Sequence, residues 1–297
     1  MLLTRRPIAP LVPHVEMLWA SERGAQPHTR EFNLPTGRVD IVIPLLDGQR
    51  ISRYRSHDDA AGEHFDGGVV HGAHDRACQR DTGSSSCVVG VHFKPGGAAA
   101  FFGGALPALR NRTVPLDALW GPSARALRED LQDTPGLHAR LLHLEAYLMA
   151  RLALAPHDDR LMAQAVQAMA QDPTAIHVEP QQRASGLGPT RFIARFERHV
   201  GLTPKRYARV LRFHTLLSRL ALAPSSDWAL TAAEAGYADQ SHLIHEFRRI
   251  TGLTPTAYAP LQPDQPSHMA VPGAVKKPPI RPAAGCLAWA NRPKEPS

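Results

Sequence analysis

The 297-residue chain has little cysteine: Cys78, Cys87 and Cys286 are all it carries. Three thiols build no disulfide framework, which excludes a stapled secreted mini-fold and makes a cytoplasmic protein the expectation. No apolar run is long enough to span a bilayer. The start offers no secretory leader, because Met1-Leu-Leu-Thr-Arg-Arg is followed by Pro7 and Pro10, which interrupt any apolar stretch. No phosphate-binding loop, nucleophile elbow or dinucleotide fingerprint occurs, so the common sequence signs of catalysis are missing and a non-enzyme without a cofactor is expected. A large charge imbalance is missing too. Residues 1–157 hold 17 basic and 16 acidic side chains, 158–260 hold 12 and 9, and 261–297 hold 5 and 2. The mild basic excess therefore sits in the C-terminal half, where it is compatible with phosphate binding but not diagnostic of it.

What the chain does have is a repeat. Phe196-Glu-Arg-His-Val-Gly-Leu-Thr-Pro-Lys-Arg-Tyr-Ala208 is echoed by Phe247-Arg-Arg-Ile-Thr-Gly-Leu-Thr-Pro-Thr-Ala-Tyr-Ala259, with Phe, Gly-Leu-Thr-Pro and Tyr-Ala all recurring 51 positions on. Gly201 and Gly252 stand where a helix stops, since glycine takes the left-handed conformation that follows a last turn. Thr203 and Thr254 suit N-caps, and Pro204 and Pro255 suit the first helical position after them. Each copy has a second glycine upstream, Gly186 and Gly236, so each predicts a short helix, a glycine turn and a second helix, the helix-turn-helix arrangement.

At these residues the segment from about 160 to 260 resembles the two-part helix-turn-helix DNA-binding domain of AraC/XylS-family transcriptional regulators. The match is strongest over Ala233-Glu-Ala-Gly-Tyr-Ala-Asp-Gln-Ser-His-Leu-Ile-His-Glu-Phe-Arg-Arg-Ile-Thr-Gly-Leu-Thr-Pro255. The resemblance implies a transcription regulator that binds double-stranded DNA in a sequence-specific way. It places base-reading positions at Thr190, Ile193 and Ala194 of the first unit and at Gln240, Ser241, Ile244 and His245 of the second, with His242 nearby. Gln pairs bidentately with adenine, and Ser or His serves several bases, whereas Ile193 and Ala194 offer only apolar contact to a thymine methyl. Arg191, Arg195, Arg198, Arg248 and Arg249 are the expected phosphate contacts. The first unit departs from the family pattern: Gln181-Gln182 replace the usual Leu-Ala, Gly188 replaces a capping Ser, and Pro180 sits at or inside the short helix. A less firmly folded first unit that reads few bases is the expectation, with Phe192, Phe196 and Val200 as its core. Between the units, Pro204 to about Leu222 reads as one long helix, in which Arg206, Arg209, Arg212 and Arg219 supply charge.

The expected fold class is α+β. An N-terminal small β barrel or sandwich with helices (1–105) leads through a helical connector or dimerisation segment (106–156) to the all-α tandem helix-turn-helix domain (157–260) and a disordered Pro-rich tail (261–297). Strands are predicted over Arg38–Leu46, Val69-Val70 and Cys87–Phe93, with a helix opening in Lys94–Phe102. Leu34–Asp40, Gly90–Phe102 and Val114–Gly121 resemble an N-terminal sensor-type domain found on a subset of AraC-like regulators, which implies an unidentified small-molecule effector. Leu141, Leu142, Leu144, Leu148 and Leu152 form a stripe that packs on its own sheet or pairs with a second subunit. RNA polymerase and a second copy of the chain complete the candidate partners, with no membrane.

The alternative function is a small-molecule or metal-binding β domain whose helical half has lost specific DNA binding and serves protein contacts. His71, His74 and Cys78 have the spacing of a weak metal motif, short of a fourth ligand, and no metal site is assigned. Cys78 and Cys87 are a candidate redox pair. An alkyl-transfer repair protein would require more cysteines than the chain has.

Overall fold

The structure is a computed structural model, and it describes residues 1–26, 29–56, 58–155, 159–173, 178–222, 227–260 and 267–271. Pro156, Asp158, Ile176, Cys286 and the Pro-rich stretch beyond residue 271 lie outside the described residues.

Eleven strands are described: β1 (Leu2–Arg5), β2 (Val15–Arg23), β3 (Arg30–Asn33), β4 (Asp40–Pro44), β5 (Ile51–Tyr54), β6 (Glu63–Phe65), β7 (Val69–His71), β8 (Cys78–Asp81), β9 (Ser86–Phe93), β10 (Thr113–Pro115) and β11 (His268–Ala270). They form two open antiparallel sheets, β1-β2-β9-β4-β7-β10 and β11-β3-β8-β5-β6, so of the barrel or sandwich expected neither sheet closes into a barrel. The pattern along β9 explains the layering. Cys87, Val89, Val91 and Phe93 belong to a large core on the helical side. Val88, one residue out of phase, packs with Val42 and Val69 of its own sheet and with Ile51 of the second sheet. Gly90 is needed where it stands, because a Cβ there would lie 2.5 Å from the Trp19 ring and 2.6 Å from the carbonyl of Ile41.

Ten α-helices are described. α1 (Ala99–Phe102) is followed by a 3-10 segment over Gly103–Leu109, so the helix expected to open in Lys94–Phe102 is a single turn. Then come α2 (Asp117–Trp120), α3 (Pro122–Asp133), α4 (Leu137–Leu152), α5 (Arg160–Gln171), α6 (Val178–Ala184), α7 (Pro189–Val200), α8 (Pro204–Leu222), α9 (Trp228–Glu234) and α10 (Gln240–Thr251). Leu141, Leu144 and Leu148 of α4 are fully buried in the chain's own core, which leaves Leu142 at the surface. Glu145 on the same helix is buried because it has partners: Arg5 donates to it at 2.8 and 3.0 Å and the Ile8 N–H at 3.0 Å.

That core does not stop where the sequence changes character. Phe93, Phe102 and Trp120 share one cluster with Met162 of α5, Phe192 and Phe196 of α7, and Tyr207 and Val210 of α8. A second cluster joins Phe213, Leu217, Leu243, Phe247 and Ile250 to Phe32 and Leu34 of the N-terminal sheet and to Met269 and Val271. Two expectations need correction here. The tail was expected to lie outside the fold from residue 261, yet His268–Ala270 pairs antiparallel with β3 and buries Met269. Thr254 was expected to cap a helix like its counterpart Thr203, yet only a 3-10 turn, Pro255–Ala257, follows it and its side chain makes no capping bond.

Candidate nucleic-acid interface

Both units are built as helix, glycine turn, helix. Gly186 and Gly236 have φ of 67° and 77°, and Gly201 and Gly252 close the second helices at 87° and 77°, in the left-handed region that only glycine enters without strain. In the second unit Asp227 caps α9 by accepting the Ala229 and Leu230 N–H groups, both at 3.0 Å, and Asp239 caps α10 by accepting the His242 N–H at 2.7 Å. In the first unit Gly188 leaves α7 without a side-chain cap.

One face of each second helix is core. Phe192, Phe196 and Val200 of α7 are at most 1% exposed, and Leu243, Phe247 and Ile250 of α10 at most 2%. The opposite faces point outward. Thr190, Arg191, Ile193, Ala194 and Arg198 are exposed on α7; Gln240, Ser241, His245, Arg248 and Arg249 are exposed on α10, with His242 and Ile244 half-buried. Arg195 differs from the rest. Its guanidinium forks onto Asp159 at 2.6 and 2.9 Å, so a phosphate contact from it must first displace that pair. Burial opposes the Asp159 charge, but the hydrogen bonds from Arg195 and from the Met162 N–H outweigh it and hold the carboxyl below its usual range.

The expectation of a loose first unit divides. No residue of α6 is buried, and Gln182 has turned its amide to the Leu187 carbonyl. By contrast α7 is clamped to the N-terminal half. Arg110 bonds Glu197 at 2.9 Å. His199 fills the space beside Gly96, where a Cβ would come within 2.5 Å of the ring.

The long helix α8 joins the units, and most of its arginines are engaged inside the chain. Arg206 pairs with Asp75, Arg219 with Glu234 at 2.6 Å, and Arg209 with Glu246 at 2.8 Å. Arg212 instead lies over the Tyr237 ring at 5.6 Å. Lys205 and Arg183, absent from the sequence-based site, line the same cleft as Arg209 and Arg212. Only the fold brings them together, since Arg183 lies on α6 and the others on α8.

On the N-terminal side, a cavity of about 620 Å³ lies between the sheets and α8, walled by Arg38, Asp40, His74, His92, His214 and His268 among others. His92 bonds Asp40 at 2.7 Å and Arg38 bonds Glu16 at 2.6 Å. Burial, with Arg38 nearby, lowers the His214 pKa, and burial lowers that of His74. The candidate metal residues are otherwise occupied: His71 bonds Thr113 at 2.8 Å and His74 bonds the Gly72 carbonyl at 2.6 Å. Cys78 and Cys87 are both free thiols, on strands of different sheets, and burial raises both pKa values. Among the described residues no group of three or more His, Cys, Asp or Glu side chains is placed to hold a metal, and no helix is long and apolar enough to cross a membrane.

Two outward helical faces, each backed by an apolar core and preceded by a glycine turn, define a DNA-binding helix-turn-helix protein. Residues 182–260 match the family model described as "Helix-turn-helix domain", and residues 3–115 match one described as "Domain of unknown function (DUF6597)". The helix-turn-helix domain of the C-terminal region is of the AraC type found in transcription regulators. None of the curated proteins matches. Among solved structures, ToxT from Vibrio cholerae is similar at 9% identity and a TM-score of 0.42, covering 86% of this chain and 97% of that one. Unsaturated fatty acid-bound ToxT is similar at 12% identity and 0.42, covering 86% and 94%. The AraC-like transcriptional activator CuxR is similar at 14% identity and 0.25, covering 72% and 86%. At these scores the likeness transfers neither residue roles nor ligands.

Proposed function

We propose that the regulator binds double-stranded DNA sequence-specifically through both units, and that a small molecule held by the N-terminal domain biases how the units meet the duplex. The observation that carries the DNA reading is the outward placement of ten of the thirteen assigned side chains, on two helices whose inner faces are core. In this reading Gln240, Ser241 and His245 read base edges, Ile193 and Ala194 touch thymine methyls, and Arg191, Arg198, Arg248 and Arg249 hold phosphates.

The effector reading rests on the cavity and on one loop. The segment 72–77 reaches the cavity through His74. The same segment touches both units: Ala73 lies against Gly201, Asp75 pairs with Arg206, and the Ala77 N–H donates to the Ile250 carbonyl at 2.7 Å. A ligand that favours one placement of this loop shifts the population of one arrangement of the units, by no more than its differential affinity for the two. RNA polymerase and a second copy of the chain are the further partners proposed.

Binding of the purified protein to genomic fragments across a salt series tests the reading. Selected sites spanning about two helical turns are expected. A steep salt dependence with no preferred sequence would reduce the interaction to charge alone and contradict it.

A further inference from the structure

The cleft between the two helix-turn-helix units is cationic in a particular way. It is a space of about 520 Å³ walled by α6, α8 and α10, with Arg183, Lys205, Arg209 and Arg212 facing two carboxylates, Glu179 and Glu246. The carboxylates are not shared evenly. Glu246 is nearly buried and takes Arg209 at 2.8 Å and Arg249 at 3.4 Å. Glu179 takes Arg183 at 2.7 Å, with both side chains more than 70% exposed, so that pair is screened and easily exchanged. Lys205 and Arg212 form no ion pair among the described residues. Arg212 Nε is buried without a hydrogen-bond partner. Lys205, Arg209 and Arg212 stand at i, i+4 and i+7 of α8 and so make one stripe, about 10 Å long at 1.5 Å rise per residue.

The position of the cleft identifies what meets this stripe. His242 and Glu246 on its wall belong to α10, one helical step round from the exposed Ser241 and His245. Its other wall is α6, which supports the recognition helix of the first unit. When α7 and α10 enter successive major grooves, the strand between those grooves has to pass over the gap between the units.

The geometry points to this cleft as a seat for the sugar-phosphate backbone of the duplex, gripped by Lys205 and Arg212 with Arg183 exchanging Glu179 for a phosphate. The inference rests on the DNA-binding reading, and it adds contacts that carry no base information. Arg209 is the positioning member: held by Glu246, it fixes α8 to α10 and keeps the cleft open at one width.

The test is a salt series of full-length protein on its selected site and on an unrelated duplex, for wild type, Lys205→Ala, Arg212→Ala, the double variant, and Lys205→Arg as the charge-conserving control. Each alanine should lower the slope of log K against log salt by about 0.9 and weaken binding about fivefold at 0.15 M salt, equally on both duplexes. Lys205→Arg should keep the wild-type slope. Lys205 is exposed, so its loss leaves the fold intact, and thermal unfolding of the Arg212 variant separates a lost contact from a lost core. A wild-type slope in the double variant, with site selection still present, overturns the cleft while leaving the regulator standing. A slope that changes on one sequence only also overturns it. Absence of any duplex binding by wild type removes the regulator reading and this inference together.

Discussion

The two helix-turn-helix units share one sequence pattern and are built differently. The second has its own caps and a polar outer face of Gln240, Ser241 and His245. The first has an uncapped recognition helix, an outer face of Ile193 and Ala194, and a supporting helix that buries nothing. Its stability comes instead from the core it shares with the N-terminal sheets. The comparison teaches that two copies of a module can be stabilised from different sources, one by its own caps and the other by a shared core. In the proposed function the second copy carries more of the reading, while the first is the copy seated on the N-terminal half, because residues 93–120 share with α5 and α8 the core that buries the inner face of α7.

The largest effect that sharpens this contrast is in the cores. Phe196→Ala and Phe247→Ala should each cost about 3–5 kcal/mol, as for other fully buried phenylalanines. Phe196 lies in the cluster that contains Phe93 and Trp120, whereas Phe247 lies with Phe213 and Phe32. Denaturant unfolding followed by tryptophan fluorescence should therefore report the Phe196 change at Trp120. An unchanged Trp120 transition would break the claim that the first unit is seated on the N-terminal half.

Next in size is base reading. Gln240→Ala should lose about 1–3 kcal/mol of discrimination at one base position, while Ile193→Ala should relax a thymine preference far less. Competition binding with single-base site variants measures both. Equal losses would remove the asymmetry.

The closing glycines come third. Both sit at positive φ, where alanine costs about 1–2 kcal/mol. A Cβ at Gly201 would also press to 3.3 Å on the Leu106 carbonyl, while one at Gly252 would meet nothing within 4 Å. Gly201→Ala should therefore lower Tm more than Gly252→Ala.

The effect that is smallest at neutral pH, and grows only in acid, lies on the second unit's side. Burial, with Arg80 nearby, lowers the His268 pKa to about 3 from an unfolded value of about 6.5. Between those values the unfolded chain binds the extra proton, so stability is complete above pH 6.5 and falls as pH drops through the window toward 3. His268 begins the strand whose Met269 packs in the second cluster, so His268→Gln should flatten the acid limb of Tm against pH.

Much of the DNA-binding half was legible because its signals are local. Glycines, prolines and a 51-residue offset fixed α7 at Pro189–Val200 and placed α10 to within a residue of its end. The N-terminal half was legible only in part. Strand β2 hid because a bulge between Val15 and Met17 shifts its register, so Val15 and Leu18 both point inward and simple alternation fails. Strand β11 is three residues in a Pro-rich stretch, and only its pairing with β3 makes it a strand. The engagement of Arg195 and Arg206 by Asp159 and Asp75 depends on distant parts of the chain meeting, which no local pattern records.

Selection of sites by the full-length protein from random duplexes tests the division of labour most directly. The account predicts two contacted segments centred about 10 base pairs apart, with strong base preference in the segment protected by α10 and weak preference in the one protected by α7. Equal or reversed preference in the two segments, or a single contacted segment, would contradict it.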